Sequence, residues 1–548
     1  MKKYLLLVFA VIIGFYLRIH LLATVPMGMT WDEAALGYNA FSILKTGRDE
    51  FGKFMPLIFK SFGDYKPGLY VYLTVPSVAV FGLTEQAVRV PSVIFGVLAI
   101  LGLYLLTKEL FIDEKKNNFI ASLSALSLAI SPWHVHFSRG AWEVNVFVTL
   151  LLFGMVYLLR YLRGKSSLAP AIIFACLSLL CYQAAKVLTP VTYCLILIIY
   201  WKDFLIQIKE TTKSKLNSIS ILLGIFFSVW FLYSTLFGSA GNRLTTLSIF
   251  GYKPGISSET KQIDSGNKTT LALYHNQSAL TSHLVISRYL YNFSPEVLFY
   301  EGKIFTERGR IPNLGILNPL EFIWLAFGLV YLASNFKNKN SLFITLLLLI
   351  SPIPASLTLA EFSTVRSLYM VIPLAMISSL GIYHLITKIN YFIIPIAAIY
   401  LLVFIYTFDI YFLHAARVTA KEFNYGYKQA MEFVNKYPNA KKVIMTDVLG
   451  QPYIYYLFYT KYNPADYQKQ NNFVSGGLDV GNVPSVGKAE FHQFNTQDLN
   501  TQKDTVFIGT VGNISNDFKL DSPIIEDYAT INYPYDGSNL FRMIKTRP

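Results

Sequence analysis

Charged residues are scarce in this sequence. Asp, Glu, Lys and Arg make up only 15% of the 548 residues, whereas 53% are hydrophobic and 16% are aromatic. The mean hydropathy is +0.42, which is above the range of soluble globular proteins. Apolar stretches long enough to cross a hydrocarbon core recur from residue 4 to about residue 413. The composition therefore excludes a soluble enzyme and indicates a polytopic membrane protein.

Cysteine is almost as scarce. The chain has only Cys176, Cys181 and Cys194, and all three lie in apolar stretches. This number and spacing exclude both a disulfide framework and a CxxC metal pair. We interpret them as small residues of the membrane core.

Positive charge is in excess but is not gathered in one patch. The formal net charge is +14, and the basic residues occupy short connectors between apolar segments, which argues against nucleic-acid binding. By the positive-inside rule, these connectors face the cytoplasm. They contain Lys108, Lys115 and Lys116; Arg160, Arg163 and Lys165; Lys202, Lys209, Lys213 and Lys215; Lys337 and Lys339; and Lys388.

This alternation predicts about eleven crossings, a retained first helix with its N-terminus inside, and an external C-terminus. The predicted spans are 4–23, 88–107, 118–132, 143–162, 167–183, 187–201, 217–237, 319–335, 341–360, 366–386 and 391–413. Residues 69–83 are apolar but short and contain Pro76, so we expect them to lie at the outer interface or to enter it partly. If further short apolar segments also cross the membrane, the number of spans rises to about twelve or thirteen. If residues 69–83 form a full crossing, the predicted orientation of every later segment is reversed.

The polar chemistry concentrates on the predicted outer side. The membrane module, residues 1–413, has outer stretches at 24–87, 133–142 and 238–318. In the last of these, an Asn/Ser/Thr/Gly-rich segment, Lys261 to Thr270, precedes an aromatic-basic run, Ser287 to Tyr291; together they suit a gate or a plain mobile loop equally. Residues 414–548 form a polar tail.

The tail has its own pattern of secondary structure. It contains a helix-like run at 427–434 and strand-like runs at 442–445 and 505–510. These alternating elements predict a small, soluble extracytoplasmic α/β domain.

The first outer loop contains two adjacent carboxylates, Asp32 and Glu33. Thr30 or Asp32 would suit the N-terminus of a helix, where acids are favoured by the helix dipole. Alternatively, an acid near the bilayer surface can act as a general base. The loop also contains Arg48, Asp49, Asp64, Tyr65 and Lys66. A lysine before an interfacial aromatic segment suits an anionic headgroup, although simple snorkelling would also explain it.

The second outer connector contains Arg139 and Glu143, four residues apart. On one helical turn they could pair with each other. Alternatively, Arg139 could bind a phosphate, and Glu143 a metal ion or a sugar hydroxyl. His134 and His136 belong to no recognised zinc motif, so zinc is not favoured.

Taken in order, these motifs resemble glycosyltransferase family 39, the protein O-mannosyltransferase-like membrane enzymes, whose bacterial relatives include the aminoarabinose transferases of lipid A. The resemblance covers most of residues 1–386 and leaves the tail without a function. It is carried by Trp31-Asp32-Glu33, Thr46 to Gly52 with Pro56, Asp64 to Pro67, Glu85 to Ser92, Ser131 to His134 with Ser138, Arg139 and Glu143, Tyr182 to Lys186 with Pro190, Phe293 to Phe299, Arg308 with Pro312 and Gly315, and Arg366 with Pro373.

The resemblance implies a C-type glycosyltransferase (GT-C) fold, with an outward-facing active site that uses a sugar carried on a polyprenyl phosphate. It implies that Asp32 deprotonates or orients the acceptor hydroxyl and that Lys66 holds the lipid phosphate. We take Asp32 and the adjacent Glu33 as the catalytic candidates. Arg139 and Glu143 match the second outer loop more loosely, because the acid is often Asp in relatives. Transfer by a single displacement would invert the anomeric configuration.

Electrostatics adds further candidates for the donor phosphate, because fixed cations near the leaving oxygen stabilise its developing charge. With Lys66 these are Arg139, Lys186, Arg308 and Arg366. For each except Lys66, a structural ion pair is an equally good interpretation. Some relatives bind a divalent cation, for which Asp32 and Glu143 are candidates in this chain, but we expect no obligatory metal.

The main alternative is a transporter or flippase of lipid-linked saccharides. Transporters place ionisable groups near the bilayer midplane and are built from related halves. In this chain the predicted spans 217–237 and 391–413 have almost no charge at their centres, and no half-repeat is evident. The sequence therefore favours the transferase, and leaves the donor sugar and the acceptor undetermined.

Overall fold

Helices dominate the structure, which is a computed structural model. It describes residues 4–112, 116–211, 215–236, 249, 269, 274, 276–300, 307–359, 362–388, 393–470, 472–477, 480–518 and 521–548. The chain divides into two compact units. The first comprises Met1–Arg18, Phe95–Ser138 and Glu143–Phe408; the second comprises Ile19–Ile94, Arg139–Trp142 and Asp409–Pro548.

The described helices fall into two groups along the chain. The first group is α1 (Leu5–Ile19), α2 (Trp31–Thr46), α3 (Leu69–Phe81), α4 (Glu85–Leu110), α5 (Asn117–Ile130), α6 (Pro132–Phe137), α7 (Glu143–Leu162), α8 (Ala169–Leu179), α9 (Ala185–Ile199), α10 (Trp201–Thr211) and α11 (Lys215–Leu236). The second group is α12 (Gln277–Tyr291), α13 (Pro295–Phe299), α14 (Glu321–Ser334), α15 (Lys339–Ile350), α16 (Ile353–Ser356), α17 (Thr364–Ser367), α18 (Val371–Lys388), α19 (Ile393–Asp409), α20 (Ala416–Val418), α21 (Tyr427–Asn435), α22 (Pro452–Tyr459), α23 (Pro464–Gln468) and α24 (Asp498–Thr501).

Long apolar helices confirm that this is a membrane protein. Among the described residues, five helices are long and apolar enough to cross a bilayer, or six if α9 and α10, bent by 92°, form one broken span. Several other apolar helices are shorter, so the count of about eleven crossings stays a prediction. Helix α3 has 13 residues and is about 20 Å long, too short by itself to span a core of about 30 Å.

Two predicted features of the long outer stretch have different outcomes. The aromatic-basic run Ser287 to Tyr291 lies on α12. The predicted gate, Lys261 to Thr270, lies outside the described residues except for Thr269.

Among the described residues, a hairpin of β1 (Ile58–Ser61) and β2 (Asp64–Pro67) precedes the strands of the tail, which are β3 (Lys442–Met445), β4 (Val474–Gly477), β5 (Val480–Asn482), β6 (Ser485–Val486), β7 (Ala489–Phe491), β8 (Thr505–Gly509), β9 (Ile525–Asn532) and β10 (Asn539–Thr546). Six of the tail strands form one sheet in the order β6-β7-β3-β8-β10-β9. Strand β3 is parallel to β7 and β8, and β10 is antiparallel to β8 and β9. The helix predicted at 427–434 is α21, and the strands predicted at 442–445 and 505–510 are β3 and β8, so these predictions are confirmed.

In the first unit, glycines allow α14 and α18 to approach closely. A Cβ on Gly381 would collide with the carbonyl oxygen of Trp324, and one on Gly328 with the carbonyl oxygen of Ile377. Small residues at such crossings let two backbones pack directly, which is a principal source of helix association in membranes.

Gly381→Leu should therefore prevent correct packing of α14 on α18, at a cost of more than about 3 kcal/mol, because the obstacle is backbone and cannot rotate away. The measurement is the monodisperse yield and melting temperature of the purified variant. Ala333→Leu is the matched control, because Ala333 lies on α14 but is exposed. Equal yields and melting temperatures for the two variants would contradict the close-packing interpretation.

Candidate active site

Helix α2 presents the acidic pair of the first loop at its N-terminus. Thr30 is the N-cap, and its side chain accepts a hydrogen bond from the backbone N–H of Glu33 at 3.2 Å. The Glu33 carboxylate accepts in return from the N–H of Thr30 at 3.1 Å, which completes a capping box. The predicted helix start at Thr30 is confirmed, and Asp32 lies in the first turn, where the helix dipole favours a negative charge.

Glu33 points into the protein. It is only 4% exposed and accepts two hydrogen bonds from Arg89, at 3.0 and 3.3 Å, and one from the N–H of Ala141, at 2.9 Å. Burial by itself raises the pKa of Glu33, but the Arg89 charge and these donors outweigh it and hold the pKa below its usual value. Glu33 is therefore a buried anion that joins Arg89 and Ala141 to the start of α2.

Asp32 has a different environment from its neighbour. Its side chain is 37% exposed, and its Oδ1 accepts a hydrogen bond from the Nζ of Lys66, whose side chain is 17% exposed. Two of the residues singled out in the sequence, 34 positions apart, thus meet directly. The result is a partly accessible carboxylate beside a fixed ammonium group.

A tight hairpin positions Lys66. Strands β1 and β2 pair antiparallel, with Phe59 opposite Lys66. They are joined by Phe62 and Gly63, which both have positive φ, at 54° and 89°, as two-residue hairpin turns of the favoured twist require. The Lys66 ammonium lies 5.9 Å from the centroid of the Phe62 ring. The turn therefore fixes the register of the two strands, and with it the position of Lys66 on β2.

The remaining first-loop candidates shape the loop itself. Asp49 is 2% exposed, and its Oδ1 accepts from the N–H groups of Phe51 and Lys53 at 3.0 and 2.8 Å. Arg48 is exposed and donates to the carbonyl of Gly52 at 2.8 Å. These bonds close the turn after α2.

Asp64 and Tyr65 lie on β2, next to Lys66. Asp64 is 6% exposed and accepts from the N–H of Tyr65 at 2.7 Å. Both residues are thus part of the hairpin that carries the lysine.

Arg139 lies in the same unit and is fully buried. Its guanidinium donates to the carbonyl of Val25 at 2.9 Å and lies 4.9 Å from the ring of Phe412 and 5.7 Å from that of Tyr411. Of the two alternatives for Arg139 and Glu143, the shared helical turn does not form, because α6 ends at Phe137 and α7 begins at Glu143. The N–H of Ala141 bonds to Glu33 instead of to a helical carbonyl.

The other predicted residues, Glu143, Lys186, Arg308 and Arg366, belong to the first unit. Each is partly buried. The charges of Arg366 and Glu143 both act on Tyr182, so each of the two lies within electrostatic range of that tyrosine. Whether these four residues take part in the site of Asp32 stays a prediction.

The residues that the structure describes do not assemble a metal centre. Within them, no group of three or more His, Cys, Asp or Glu side chains is arranged to hold a metal ion. His134 is engaged by Arg18 at 2.7 Å, and His136 by the carbonyl of Arg308 at 3.0 Å. These contacts give the two histidines structural partners.

Two ionisable residues of the site, Arg89 and Glu50, had no role in the sequence interpretation. Arg89 lies within one of the motifs, and an arginine in an apolar helix is a signal of a buried partner. Glu50 is 1% exposed; its Oε1 accepts from Asn39 at 3.0 Å, and its N–H donates to Asn39 at 3.0 Å. Its Oε2 has no hydrogen-bond partner among the described residues.

Comparisons with known proteins agree with the motifs. Residues 65–233 match the family model described as dolichyl-phosphate-mannose-protein mannosyltransferase, which confirms the resemblance to this class of membrane glycosyltransferase. A search of curated proteins found no match.

Solved structures extend the likeness to the whole chain. The crystal structure of ArnT from Cupriavidus metallidurans, apo or bound to undecaprenyl phosphate, is similar with a TM-score of 0.52 and 11% identity, over 98% of this chain and 97% of that one. At this identity the likeness shows the fold, which is GT-C. The oligosaccharyltransferase AglB from Archaeoglobus fulgidus has 15% identity and a TM-score of 0.46; the alignment covers 84% of this chain but only 64% of AglB, and it is too distant to support an argument.

The buried carboxyl group of Glu50 should make stability depend on pH. Burial, with a smaller contribution from Asp49, raises its pKa from 4.5 to about 8, although Asn39, Lys66 and Lys60 oppose the shift. Between these values the unfolded chain is ionised while the native state keeps the proton, so stability should fall by up to a few kcal/mol as the pH rises from about 4.5 to 8.

Glu50→Gln removes this titration and should flatten the melting temperature between pH 5 and 8. The control is Glu432→Gln, at an exposed position of α21, which should retain the wild-type slope. A slope of wild-type size in Glu50→Gln would show that Glu50 is not protonated in the native state.

Proposed function

We propose that this chain, a relative of the dolichyl-phosphate-mannose-protein mannosyltransferases, transfers a monosaccharide from a polyprenyl-phosphate donor to an acceptor on the outer side of the membrane. The observation that carries the proposal is the Asp32–Lys66 pair, a partly exposed carboxylate held against an ammonium group at the start of α2. A general base and a phosphate-binding cation are the two groups that such a transfer needs side by side.

The proposed reaction is a single displacement with inversion. The oxygen of an acceptor hydroxyl attacks the anomeric carbon, and its proton passes to the Asp32 carboxylate. The bond between the anomeric carbon and the phosphate oxygen breaks, and the electron pair leaves with the polyprenyl phosphate. Lys66 stabilises the charge that develops on that oxygen.

The ion pair also suggests an order of events. In the absence of donor, Lys66 neutralises Asp32. An arriving phosphate competes for the ammonium group, because its anionic oxygens are strong acceptors for lysine. Asp32 is then released from the lysine and can accept the proton. Donor binding would thus prepare the base.

The surrounding residues have supporting roles in this proposal. Glu33 and Arg139, both buried, hold the loop in place and do not contact substrate. Lys186, Arg308 and Arg366 are proposed to bind the phosphate of the donor and of the departing lipid, and Glu143 an acceptor hydroxyl or a divalent cation. No step of the reaction requires a metal.

Helix α4 supports an extracytoplasmic site. It is continuous over 26 residues, about 39 Å, enough to cross the bilayer. Its first turns contain Arg89, the partner of Glu33, and its last turn contains Lys108. The positive-inside rule assigns the Lys108 end to the cytoplasm, so the Arg89 end is proposed to lie outside.

A transporter of lipid-linked saccharides is the alternative. A transporter would require no general base. The following experiment distinguishes a transferase from a transporter. Purified protein in nanodiscs is incubated with a panel of radiolabelled polyprenyl-phosphate monosaccharides, and release of sugar from lipid is followed. Intact donor moved across liposomes without cleavage would favour transport.

Asp32→Asn should reduce sugar release at least about 10³-fold with donor affinity little changed, because the amide cannot accept the proton. Asp203→Asn is the matched control: it also removes an acid from an Asp–Lys pair, with Lys339 at 3.3 Å, but on a connector predicted to be cytoplasmic. A variant at position 32 that retains most of its activity would remove Asp32 as the base.

Lys66→Ala should weaken donor binding by about ten- to a hundredfold, because a charge-assisted contact to phosphate is worth about 1.5–3 kcal/mol. Binding is measured by titration of nanodiscs with polyprenyl phosphate. Lys339→Ala is the control from the same exposed pair. Unchanged affinity in Lys66→Ala would refute the phosphate assignment.

A further inference from the structure

Helix α2 is contacted by the tail along its whole length. The Oη of Tyr38, in the middle of the helix, donates to the carbonyl of Tyr462 at 3.0 Å. One residue earlier, Gly37 faces Phe458 of α22 so closely that a Cβ would lie 2.6 Å from its ring. Each of these tail residues lies more than 420 positions downstream of its partner in α2. The centre of α2 is therefore packed against the C-terminal tail.

The C-terminal end of α2 is held by one side chain, Gln468. Its Nε2 lies 3.0 Å from the hydroxyl of Ser42, 3.1 Å from that of Thr46 and 2.9 Å from the carbonyl of Asp49. An amide has two N–H groups, so at least one of them is shared between acceptors. The single glutamine thus ties the last turn of α2 to the turn that follows it.

The N-terminal end of α2 is held by Tyr455 of α22. The Oη of Tyr455 donates at 2.9 Å to the carbonyl of Met29, the residue before the N-cap. Tyr455 is itself fixed by stacking on Tyr427, with ring centroids 4.0 Å apart. The hydroxyl bond therefore comes from a buried ring that is packed in place.

Gly450 adds a steric contact at the same end. Its φ is +117°, and a Cβ on it would lie 2.7 Å from the ring of Trp31, the residue that precedes Asp32. Glycine is needed both for this backbone conformation and for the closeness of the indole. The loop after β3 is therefore fitted to the first residue of α2.

We propose that the C-terminal domain is part of the catalytic machinery, and that Gln468 and Tyr455 are positioning residues that set the location of Asp32. A helix held at both ends and at its centre can neither slide nor rotate, so the carboxylate keeps its place beside Lys66. Displacement of a reacting group by about 1 Å costs up to about a hundredfold in rate. This inference rests on the proposed transferase function. It assigns the tail a role in positioning the catalytic base.

The test compares two glutamines of the tail. Gln468→Ala removes the bonds to α2. Gln470→Ala is the matched control, because the bonds of Gln470 to Tyr462, Asp466 and Gly487 stay within the tail. Gln468→Ala should lower kcat for sugar transfer about tenfold with the KM for donor within about twofold. Gln470→Ala should keep the wild-type kcat at comparable melting temperature.

A second variant distinguishes a loss of positioning from a loss of folding. Tyr455→Phe keeps the stacked ring and removes only the hydroxyl that bonds to Met29, and it should lower kcat in the same way. Activity of wild type and Gln470→Ala establishes the transferase, so a failure of the proposed function is recognised independently. Wild-type kcat in both Gln468→Ala and Tyr455→Phe, or losses that follow melting temperature equally in Gln468→Ala and Gln470→Ala, would overturn the positioning role.

Discussion

The buried ion pair of Glu33 and Arg89 is the contact on which the rest of the site depends. A buried carboxylate is tolerated only if its charge is paired and its oxygens accept hydrogen bonds, and Glu33 meets both conditions with four donors. Arg89 in turn donates to the carbonyls of Leu22, Pro26 and Gly28. One pair therefore fixes the chain that leads into α2, the start of α2 and the connector at Ala141. Removing either partner would leave the other charge buried and uncompensated, which is strongly destabilising.

The different environments of Asp32 and Glu33 follow from helix geometry. Consecutive residues of an α-helix point about 100° apart, so the two side chains leave the helix in different directions, and here Glu33 is buried while Asp32 is partly exposed. Glu33 takes the inward direction and is neutralised by Arg89, which leaves Asp32 to face Lys66. An acidic pair at a helix start can thus supply one anchor and one reactive group from two residues of the same chemistry. The sequence alone does not distinguish the two carboxylates, because it does not give the direction in which each side chain points.

Local patterns were predictable, and distant partners were not. Some elements depend only on residues close by in the chain, and the sequence predicts these. They are the helix cap at Thr30, helix α21 and strands β3 and β8. Arg89 lies 56 positions from Glu33, and Gln468 lies 426 positions from Ser42; no local periodicity encodes such contacts. Arg139 and Glu143 have helical spacing, yet the connector between α6 and α7 that contains Arg139 is not helical. The N–H of Ala141 in that connector bonds to Glu33, 108 positions away.

The polar tail is joined to the first loop through an aromatic helix, α22. Its aromatic run at Tyr453 to Tyr459 has the composition of a buried strand, yet it forms α22, because Pro452 starts a helix and the rings pack on α2 and on Tyr427. Seven of the eight residues of α22 are buried, and α2 of the first loop covers part of this aromatic surface. Separation of the two would expose this aromatic face to water, and at about 25 cal/mol per Å² the penalty disfavours a detached tail. The hydrophobic effect and the long-range hydrogen bonds to α2 thus act in the same direction, and both hold Asp32 where Lys66 can reach it.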